Sequence, residues 1–456
     1  MVAKINSGSQ PLYVSLAEQI KQGSSALPAH TKLPSIRTLA KDNGVNNSTV
    51  VAALHLLESQ GLVYCKEGSG TYLAPSPTPQ ILHEPELTPR SELIDFTSST
   101  PSPEYFPVED FQAAFNAVLE RDRGHAFAYP EAQGYLPLRL SIAEYLKSQG
   151  MTVDPALVHI TSGAQQAIFL LAQTLTKTGD AVLVESPTYP GALEAFHTCG
   201  ARVVGIPLGY NGPKLKQLVQ AVKYSPKLMY TVPNFQNPTG ISYSQDVRAL
   251  LVEESRKHGF YIIEDDHVSE LYYTGPRPRA LWQDAPDRVL YVKSFSKVFM
   301  PGLRLGFMVV PPALLTAINK AKLTVDLGSS GISQRALDYY LRQGKWASHQ
   351  EFLRKTYKDR AVALGEALHR HLHHEVTFQT MRGGMNCWLA LPRGVKASDL
   401  HRLALSQGVQ TSKGEHFSLS QEHQHHLRLS IAAVFAQEIE QGAAILGSCL
   451  TSLLAK

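Results

Sequence analysis

The spacing of apolar residues close to the N-terminus predicts two short helices. Leu12, Leu16 and Ile20 recur every four residues, so they fall on one face of a first helix. A second helix is expected to begin at Ser35 and to end at Gly44, because serine caps helix starts and glycine accepts the left-handed conformation found at helix ends. The residues expected to face inward on this second helix are Ile36, Leu39 and Ala40.

The next segment, "NNSTVVAALHLLESQG", continues the helical pattern and precedes a predicted hairpin. Asn46 or Asn47 can cap this third helix. Its expected buried residues are Val50, Ala53, Leu54 and Leu57. The stretch "LVYCKEGSGTYLAP" predicts two short strands around a turn at 67–70. Three helices and a hairpin make a winged helix, in which the second and third helices form a helix-turn-helix.

Beyond residue 92, short apolar runs alternate with helical patterns. This alternation is typical of an α/β fold with a mostly parallel sheet covered by helices on both faces. The predicted strands are 181–185, 202–207, 227–233, 260–266, 288–294 and 306–310. Residues 75–92 contain five prolines and predict an extended linker. The chain is therefore expected to divide into an N-terminal domain at 1–74, this linker, and a second domain at 93–456.

Composition limits the class of protein further. With 43% hydrophobic and 18% charged residues, the chain of 456 residues has enough apolar material for two or more folded domains. It has no apolar run of roughly eighteen residues and no apolar signal-peptide core at its start, so we expect a cytoplasmic protein without a membrane segment. The 4 cysteines are scattered and are expected to be reduced thiols.

Charge and histidine content add less to this picture. The net charge is +4, and half of that excess lies in residues 1–80, which is compatible with a nucleic-acid partner. Histidines cluster at 369–375 and 423–427. Because no framework of carboxylates or cysteines accompanies them, we expect solvated surface in both segments rather than a metal site.

The predicted winged helix carries side chains suited to DNA. The exposed start of its third helix would enter the major groove, where asparagine can bond an adenine edge and serine or threonine can reach bases or phosphates. Arg37 would bind a phosphate or a guanine, and the small wing residues would let the backbone approach the neighbouring groove. The candidate DNA-binding residues are Ser35, Arg37, Asn46, Asn47, Ser48, Thr49, Gly68, Ser69 and Gly70. The alternative is a small helical domain that binds protein.

The string "LPSIRTLAKDNGVNNSTV", together with "GSGTY" in the wing, resembles the GntR family of bacterial regulators over residues 10–74. The resemblance implies a double-stranded DNA operator as the partner. This family commonly has arginine where the chain has Asn47, so one cationic base contact is missing. The operator sequence therefore does not follow from the resemblance.

Polar side chains follow successive predicted strands of the second domain. Because parallel strands end at the same edge of a sheet, we expect these side chains to gather there. Earlier, "TSGAQQA" places backbone N–H groups at a helix start, which suits a phosphate. The candidate residues are Gly163, Ala164, Gln165, Tyr189, Asn237, Asp265, His267, Ser294, Ser296, Lys297 and Arg304.

One ligand, pyridoxal 5'-phosphate, accounts for this set. Lys297 would form an imine with its aldehyde. Asp265 would keep the pyridine nitrogen protonated, with Asp266 as a rival for that contact. Asn237 would donate to the ring phenolate oxygen, and Tyr189 can lie flat on the ring. The groups expected on the phosphate are Arg304, Ser294, Ser296 and the amides of Gly163, Ala164 and Gln165.

The order of these residues resembles the fold-type I aminotransferases, the aspartate aminotransferase superfamily, over about residues 95–450. The resemblance implies a PLP-dependent transferase fold with a smaller α+β subdomain at approximately 330–456. It also implies that Arg428, in "LRLSIA", binds a substrate carboxylate and that Tyr129 reaches the phosphate site of a neighbouring subunit. Relatives usually have tyrosine at the position of His267, whose charge is expected to vary near neutral pH.

A winged helix joined to such a domain resembles the MocR subfamily of GntR regulators. The resemblance implies a bacterial transcriptional regulator whose signal is pyridoxal phosphate or its imine with an amino compound. It also implies a head-to-tail homodimer that presents two recognition helices to DNA. The alternative is a catalytically active PLP-dependent aminotransferase with an accessory DNA-binding domain, because every residue needed for a half-reaction is present.

Overall fold

The computed structural model describes residues 11–24, 27, 31–60, 62–66, 69–74, 93–419 and 422–455. The chain divides into two compact units, Met1–Arg90 and Ser91–Lys456. The expected linker at 75–92 and the wing residue Gly68 lie outside the described residues.

The N-terminal unit is a winged helix, as the sequence predicts. Its elements are α1 (Leu12–Ser24), α2 (Ile36–Asn43), α3 (Asn47–Ser59), β1 (Val63–Lys66) and β2 (Gly70–Leu73). The two strands pair antiparallel, with Val63 opposite Leu73. Gly44 ends α2 with a φ of 63°, the left-handed conformation that glycine adopts without strain.

The buried residues of this unit agree with the apolar pattern on α3. They differ from the predicted pattern at the first residues of α1 and α2. Every residue predicted to be buried on α3 is buried, and so are Leu16 and Ile20 of α1. Leu12 and Ile36 were expected to face inward, but they are 49% and 39% exposed. Each is the first residue of its helix, where no preceding turn covers the side chain.

The second unit contains most of the secondary structure. Its helices are α4 (Val108–Asp122), α5 (Leu136–Lys147), α6 (Ala164–Leu175), α7 (Pro190–Thr198), α8 (Leu215–Ala221), α9 (Gln245–His258), α10 (Leu315–Asp326), α11 (Gly331–Arg342), α12 (Lys345–His371), α13 (Ala397–Ser406) and α14 (Ala436–Leu454). Its strands are β3 (Ile94–Asp95), β4 (Val158–Thr161), β5 (Ala181–Ser186), β6 (Arg202–Gly209), β7 (Gly212–Pro213), β8 (Leu228–Thr231), β9 (Tyr261–Asp266), β10 (Val289–Ser294), β11 (Gly306–Val309), β12 (Asn386–Ala390), β13 (Val409–Gln410), β14 (Ser412–Lys413) and β15 (His426–Ser430).

Eight strands form one sheet in the order β4-β11-β10-β9-β8-β5-β6-β7. The strands from β10 to β6 in this order pair parallel, whereas β11 is antiparallel to both of its neighbours. All six predicted strands are present, which confirms the mostly parallel sheet. The edge strand β4 was not predicted.

Both faces of the sheet are buried, because residues along each strand alternate between two apolar clusters. Leu183 and Met229 pack into one cluster, whereas Val184 and Tyr230 pack into the other. Helices α6, α7 and α10 contribute to the second cluster, and α4, α5, α9, α11 and α12 contribute to the first. This layering leaves the carboxyl ends of the parallel strands as the place where polar side chains can meet a ligand.

A smaller sheet, β12-β15-β14, lies in the C-terminal part of this unit. The segment that follows the expected linker also joins this part, because β3 pairs parallel with β13. Across the described ranges, the helices are too short or too polar to cross a membrane.

Candidate functional site

One cavity of about 440 Å³ lies at the ends of β8, β9 and β10 and at the start of α6. The structure therefore brings together residues that are far apart in the sequence. The predicted residues that line it are Ala164, Gln165, Tyr189, Asn237, Asp265, His267, Ser294, Ser296, Lys297, Arg304 and Arg428.

Two predicted residues do not line this cavity. Gly163 caps α6, and a Cβ added to it would lie 3.0 Å from Nη2 of Arg304, so it borders the cavity through that guanidinium. Tyr129 is 87% exposed. Its predicted contact is with a neighbouring subunit, so that role stays a prediction.

The cavity also has lining residues that the sequence did not single out. They are Ser99, Pro190, Tyr230, Val232, Met385, Asn386, His416 and Phe417. Tyr230 lies within the apolar run 227–233, which predicted a strand and gave no sign of a site residue. Ser99, Asn386 and Phe417 reach the cavity only through the long-range packing of the C-terminal part, for which the local sequence carries no signal.

Asp265 lines the cavity, and one of its two carboxyl oxygens has no protein partner in the described chain. Tyr230 donates its hydroxyl to Oδ2 of Asp265 at 2.7 Å, while the buried Oδ1 has no hydrogen-bonding partner in the described chain. Burial raises the pKa of Asp265 to about 6. Asp265 can therefore accept a hydrogen bond from a ligand, because the hydrogen bonds within the protein do not fully compensate its negative charge.

Its neighbour Asp266 is already satisfied by protein groups. Tyr291 donates to Oδ2 of Asp266 at 2.5 Å, Ser269 donates to the same oxygen at 2.7 Å, and the ammonium of Lys293 lies 3.4 Å away. Lys293 also pairs with Glu270 at 2.8 Å. The geometry therefore favours Asp265 over Asp266 as the carboxylate that meets a ligand.

The start of α6 forms an anion cradle with the loop that follows β10. Gly163 has a φ of 92°, and Arg304 donates from Nη2 to the carbonyl of Ser162 at 2.8 Å. Ser294 and Ser296 lie together, with 3.0 Å between their hydroxyl oxygens. Helix N–H groups, a guanidinium and two hydroxyls can together hold a phosphate.

Lys297 lies in the turn directly after β10 and is half-buried. Burial lowers the pKa of its amine, and the nearby guanidinium groups of Arg428 and Arg304 lower it further. A larger fraction of the amine is therefore uncharged than at an exposed lysine, which favours attack on a carbonyl carbon.

His267 is neutral rather than variable in charge. Burial lowers the pKa of His267 to about 3, so the expectation of a changing charge near neutral pH is wrong. Both of its ring nitrogens are buried and have no partner among the residues that the structure describes. A neutral imidazole in this position can donate one hydrogen bond to a ligand and accept one from it.

Arg428 is a buried guanidinium without a carboxylate partner in the described ranges. Its bonds go to neutral oxygens, at 3.2 Å to Ser99, 3.4 Å to Asn237, 3.0 Å to Ser412 and 2.5 Å to the carbonyl of Thr97. Its Nε is buried and unpaired. Burial lowers the pKa of Arg428 to about 10, so the group stays charged at neutral pH. This arrangement suits a ligand carboxylate.

The winged helix presents a separate candidate interface at the start of α3. Asn46, Asn47 and Ser48 are exposed there, and Thr49 is half-buried. Asn46 has the N-cap position, but its side chain makes no capping bond. The start of α3 therefore presents polar side chains that do not cap the helix and can bond to DNA bases.

The predicted DNA-binding residues at α2 and the wing also take part in local structure. Ser35 caps α2, because its Oγ accepts from the amide of Thr38 at 3.2 Å. The hydroxyl of Ser69 lies 2.6 Å from that of Tyr72, and Gly70 has a φ of 118°.

Lys32 also lies at the wing. Its Nζ is 5.9 Å from the ring centre of Tyr72, and the residue is exposed. Its place beside the hairpin depends on a bridge to Tyr72 that the local sequence pattern does not reveal. Lys32 therefore adds a cation to the wing that sequence analysis did not assign to DNA binding.

Comparison with known proteins gives a family for each unit. Residues 92–446 match the family model described as aminotransferase class I and II. Residues 9–73 match the model described as bacterial regulatory proteins, gntR family.

Similar proteins include both enzymes and regulators. The 2-aminoadipate transaminase of Thermus thermophilus is 35% identical over 81% of this chain and 93% of that protein. The crystal structure of LysN, alpha-aminoadipate aminotransferase, from that organism, complexed with N-(5'-phosphopyridoxyl)-L-leucine, covers 80% of this chain and 94% of its own, with a TM-score of 0.75. The uncharacterized HTH-type transcriptional regulator YdfD of Bacillus subtilis is 31% identical over 98% of each chain. The probable rhizopine catabolism regulatory protein MocR of Rhizobium meliloti is 29% identical over 88% of this chain and 85% of that protein.

Proposed function

The chain belongs to the aminotransferase class I and II family and carries a gntR-type domain in the MocR-like arrangement, and we propose that it is a transcriptional regulator that responds to pyridoxal 5'-phosphate. The gntR-type unit would bind operator DNA. The aminotransferase-like unit would sense the cofactor and, through it, an amino compound. Its relatives include regulators that match along their whole length, which supports regulation as the main role.

The free Oδ1 of Asp265 carries the cofactor part of this proposal. It lies in the same cavity as an amine with a lowered pKa and a helix-start anion cradle. Pyridoxal phosphate, when bound, supplies an aldehyde that bonds covalently to an amine and a ring that withdraws electrons. Its pyridine nitrogen, aldehyde and phosphate match the carboxylate, the amine and the cradle, so the donor set fits this ligand.

Each of the surrounding side chains then has a defined role. Asp265 would accept a hydrogen bond from the protonated ring nitrogen, and Lys297 would hold the cofactor through its aldehyde. The Oδ1 of Asn237 faces Arg428 and Asn386, so its amide N–H groups are left to donate to the phenolate oxygen. Tyr189, half-buried in the cavity wall, covers the ring.

Arg428 points to the class of effector. Its unpaired Nε and its lack of an acidic partner in the described chain suit an amino acid carboxylate. An amino acid held there would place its amine near Lys297. The cavity with and without that amino acid would favour different closures of the smaller subdomain, and a homodimer would convert this difference into a change at two DNA half-sites.

The direct test is DNA footprinting upstream of the protein's own gene, with and without pyridoxal phosphate. We expect sequence-specific protection whose pattern or affinity changes with the cofactor and changes again with an effective amino acid. Protection that is identical in every condition would disprove the sensing role. No sequence-specific protection in any condition would disprove the regulator.

A working aminotransferase is the second candidate function. The unpaired Arg428 and the uncharged fraction of Lys297 would also serve catalysis, and a 2-aminoadipate transaminase is 35% identical. A panel of amino acids with a keto acid distinguishes the two. Rapid turnover without specific DNA retention would favour the enzyme.

Replacing Asp265 with asparagine should weaken cofactor binding and change its pH dependence. At pH 7.5 we expect a loss of roughly ten- to a hundredfold, because a hydrogen bond to a charged acceptor contributes about 1.5–3 kcal/mol. Because the pKa of Asp265 is about 6, the wild-type protein should lose affinity as the pH falls below that value, by roughly tenfold per unit. Equilibrium titration with pyridoxamine 5'-phosphate measures this without covalent attachment.

Ionisation of the ligand changes the affinity of both proteins equally, so the ratio of wild-type to Asp265→Asn affinity reports the effect of the Asp265 carboxylate alone. That ratio should be large at pH 7.5 and should fall by roughly five- to tenfold at pH 5, where about nine-tenths of Asp265 is protonated. A constant ratio across this range would show that Asp265 does not meet the ring nitrogen.

A further inference from the structure

A second cavity, of about 500 Å³, lies apart from the first. Its wall includes the β6–β7 turn and residues of β12, and its lining residues differ from those of the first cavity. More than half of the lining residues are apolar or aromatic. The polar side chains are those of the two histidines together with Tyr210, Lys214, Thr239, Thr377 and Gln379. The lining residues that carry the inference are Leu208, Ile241, Phe378, Trp388, His423 and His426.

The two histidines are not the solvated surface that the sequence suggested for residues 423–427. Both are half-buried, and the ring of His426 stacks on Trp388 with centres 5.2 Å apart and planes 16° apart. His423 meets Trp388 edge-on at 5.9 Å and His426 at 5.2 Å. Burial lowers the pKa of His426 to about 4 and also lowers that of His423. Both rings are therefore neutral at physiological pH.

Each ring has a buried nitrogen without a hydrogen-bonding partner in the described ranges. These atoms are Nε2 of His423 and Nδ1 of His426. A buried polar atom without a partner destabilises the fold, so such atoms are rare unless a ligand or water satisfies them. Neither nitrogen belongs to the site described above, and both residues line the second cavity.

We infer that the second cavity binds a small, uncharged aromatic compound that carries a hydroxyl or ring N–H group. Trp388 and Phe378 offer flat apolar walls to an aromatic ring. Two neutral imidazoles can receive one hydrogen bond and donate another, which is what a hydroxyl requires. Lys214, the cation in the described lining, is exposed at the rim, so the interior has no fixed charge to balance an anion.

The second cavity is linked to the first by direct contacts. On β12, Trp388 lies two residues from Asn386, which lines the first cavity, so the two side chains are on the same face of the sheet. On β15, His426 and Arg428 are related in the same way. Phe417 meets Trp388 edge-on at 6.0 Å, and the guanidinium of Arg428 lies 5.0 Å from the ring of Phe417. A ligand that shifts Trp388 must therefore disturb the packing behind Arg428.

Isothermal titration calorimetry of the full chain with p-cresol and toluene tests this inference. Toluene has the same ring and methyl group but lacks the hydroxyl. We expect one p-cresol site and roughly tenfold weaker binding of toluene, since the two nitrogens would stay unsatisfied. His426→Phe keeps a ring on Trp388 but removes Nδ1, and should weaken p-cresol by roughly tenfold with little effect on toluene.

Two further variants separate the possible outcomes. Ala390→Leu fills part of the cavity without removing a histidine and should weaken both probes. Lys297→Ala alters the first cavity at a residue that does not line the second and should leave p-cresol binding unchanged, so the result does not depend on the proposed function. Equal affinities for p-cresol and toluene, no change in His426→Phe when its circular dichroism spectrum is that of the wild type, or no binding at millimolar p-cresol would overturn the inference. The last result would indicate that only water occupies the cavity.

Discussion

Lys297→Ala is expected to abolish covalent capture of pyridoxal phosphate completely. After incubation with the cofactor and reduction with borohydride, the wild-type protein should gain the mass of one reduced cofactor, and the variant should gain none. The reason is that Lys297 is the lysine that lines the cavity in the described chain, and burial lowers its pKa. Intact-protein mass spectrometry measures the result directly.

Lys293, four residues earlier, cannot replace it. Burial disfavours the charge of Lys293, but Asp266 and Glu270 more than offset this and raise its pKa. Its ammonium is held between these two carboxylates, at 3.4 Å and 2.8 Å. The two lysines therefore differ in the property that matters for attack on an aldehyde, which is the fraction of free amine.

Lys320→Ala is the matched control, since Lys320 is an exposed lysine on α10. It should behave like the wild type. A cofactor adduct on Lys297→Ala, located by peptide mapping at another lysine, would contradict the assignment. In footprinting, Lys297→Ala should still protect DNA but should no longer respond to the cofactor. Loss of protection itself would indicate a folding defect, which circular dichroism would detect.

The sequence predicted the parts of the site that follow strands directly. Asn237, Asp265 and Lys297 each lie at or just after the end of an apolar run, so the alternation of strands and helices was enough to bring them to one edge. The spacing of the family motif already favours Asp265 over Asp266, and the structure supplies the physical reason. It depends on Tyr291, Ser269 and Lys293, which occupy one carboxylate and leave an oxygen of the other free.

Other features had no usable local signal. The edge strand β4 has four residues, and its polar His159 interrupts the apolar pattern although it is fully buried. His423 and His426 were placed on a solvated surface because composition does not reveal that Trp388, about forty residues earlier, packs against them. His267 was expected to titrate near neutral pH because its burial is a property of the folded chain.

Arg37→Ala is expected to weaken operator binding by roughly ten- to a hundredfold, since a bidentate contact to guanine contributes about 1–3 kcal/mol. Arg37 is exposed on the second residue of α2 and makes no ion pair within the described ranges, so its guanidinium is free for DNA. Fluorescence anisotropy with the footprinted operator, measured at several salt concentrations, gives both the affinity and its salt dependence. Lys21→Ala, an exposed cation in the last turn of α1, is the matched control and should have little effect.

The salt series separates the two roles proposed for Arg37. If Arg37 neutralises a phosphate, its loss should lower the slope of log affinity against log salt by about one and should weaken operator and unrelated DNA equally. If it reads a guanine, the operator should suffer more than unrelated DNA. Asn47→Ala should show this second pattern, because Asn47 is exposed at the start of α3 and carries no charge. Unchanged operator affinity in both variants would remove α2 and α3 from the interface and leave the protein-binding alternative for this domain.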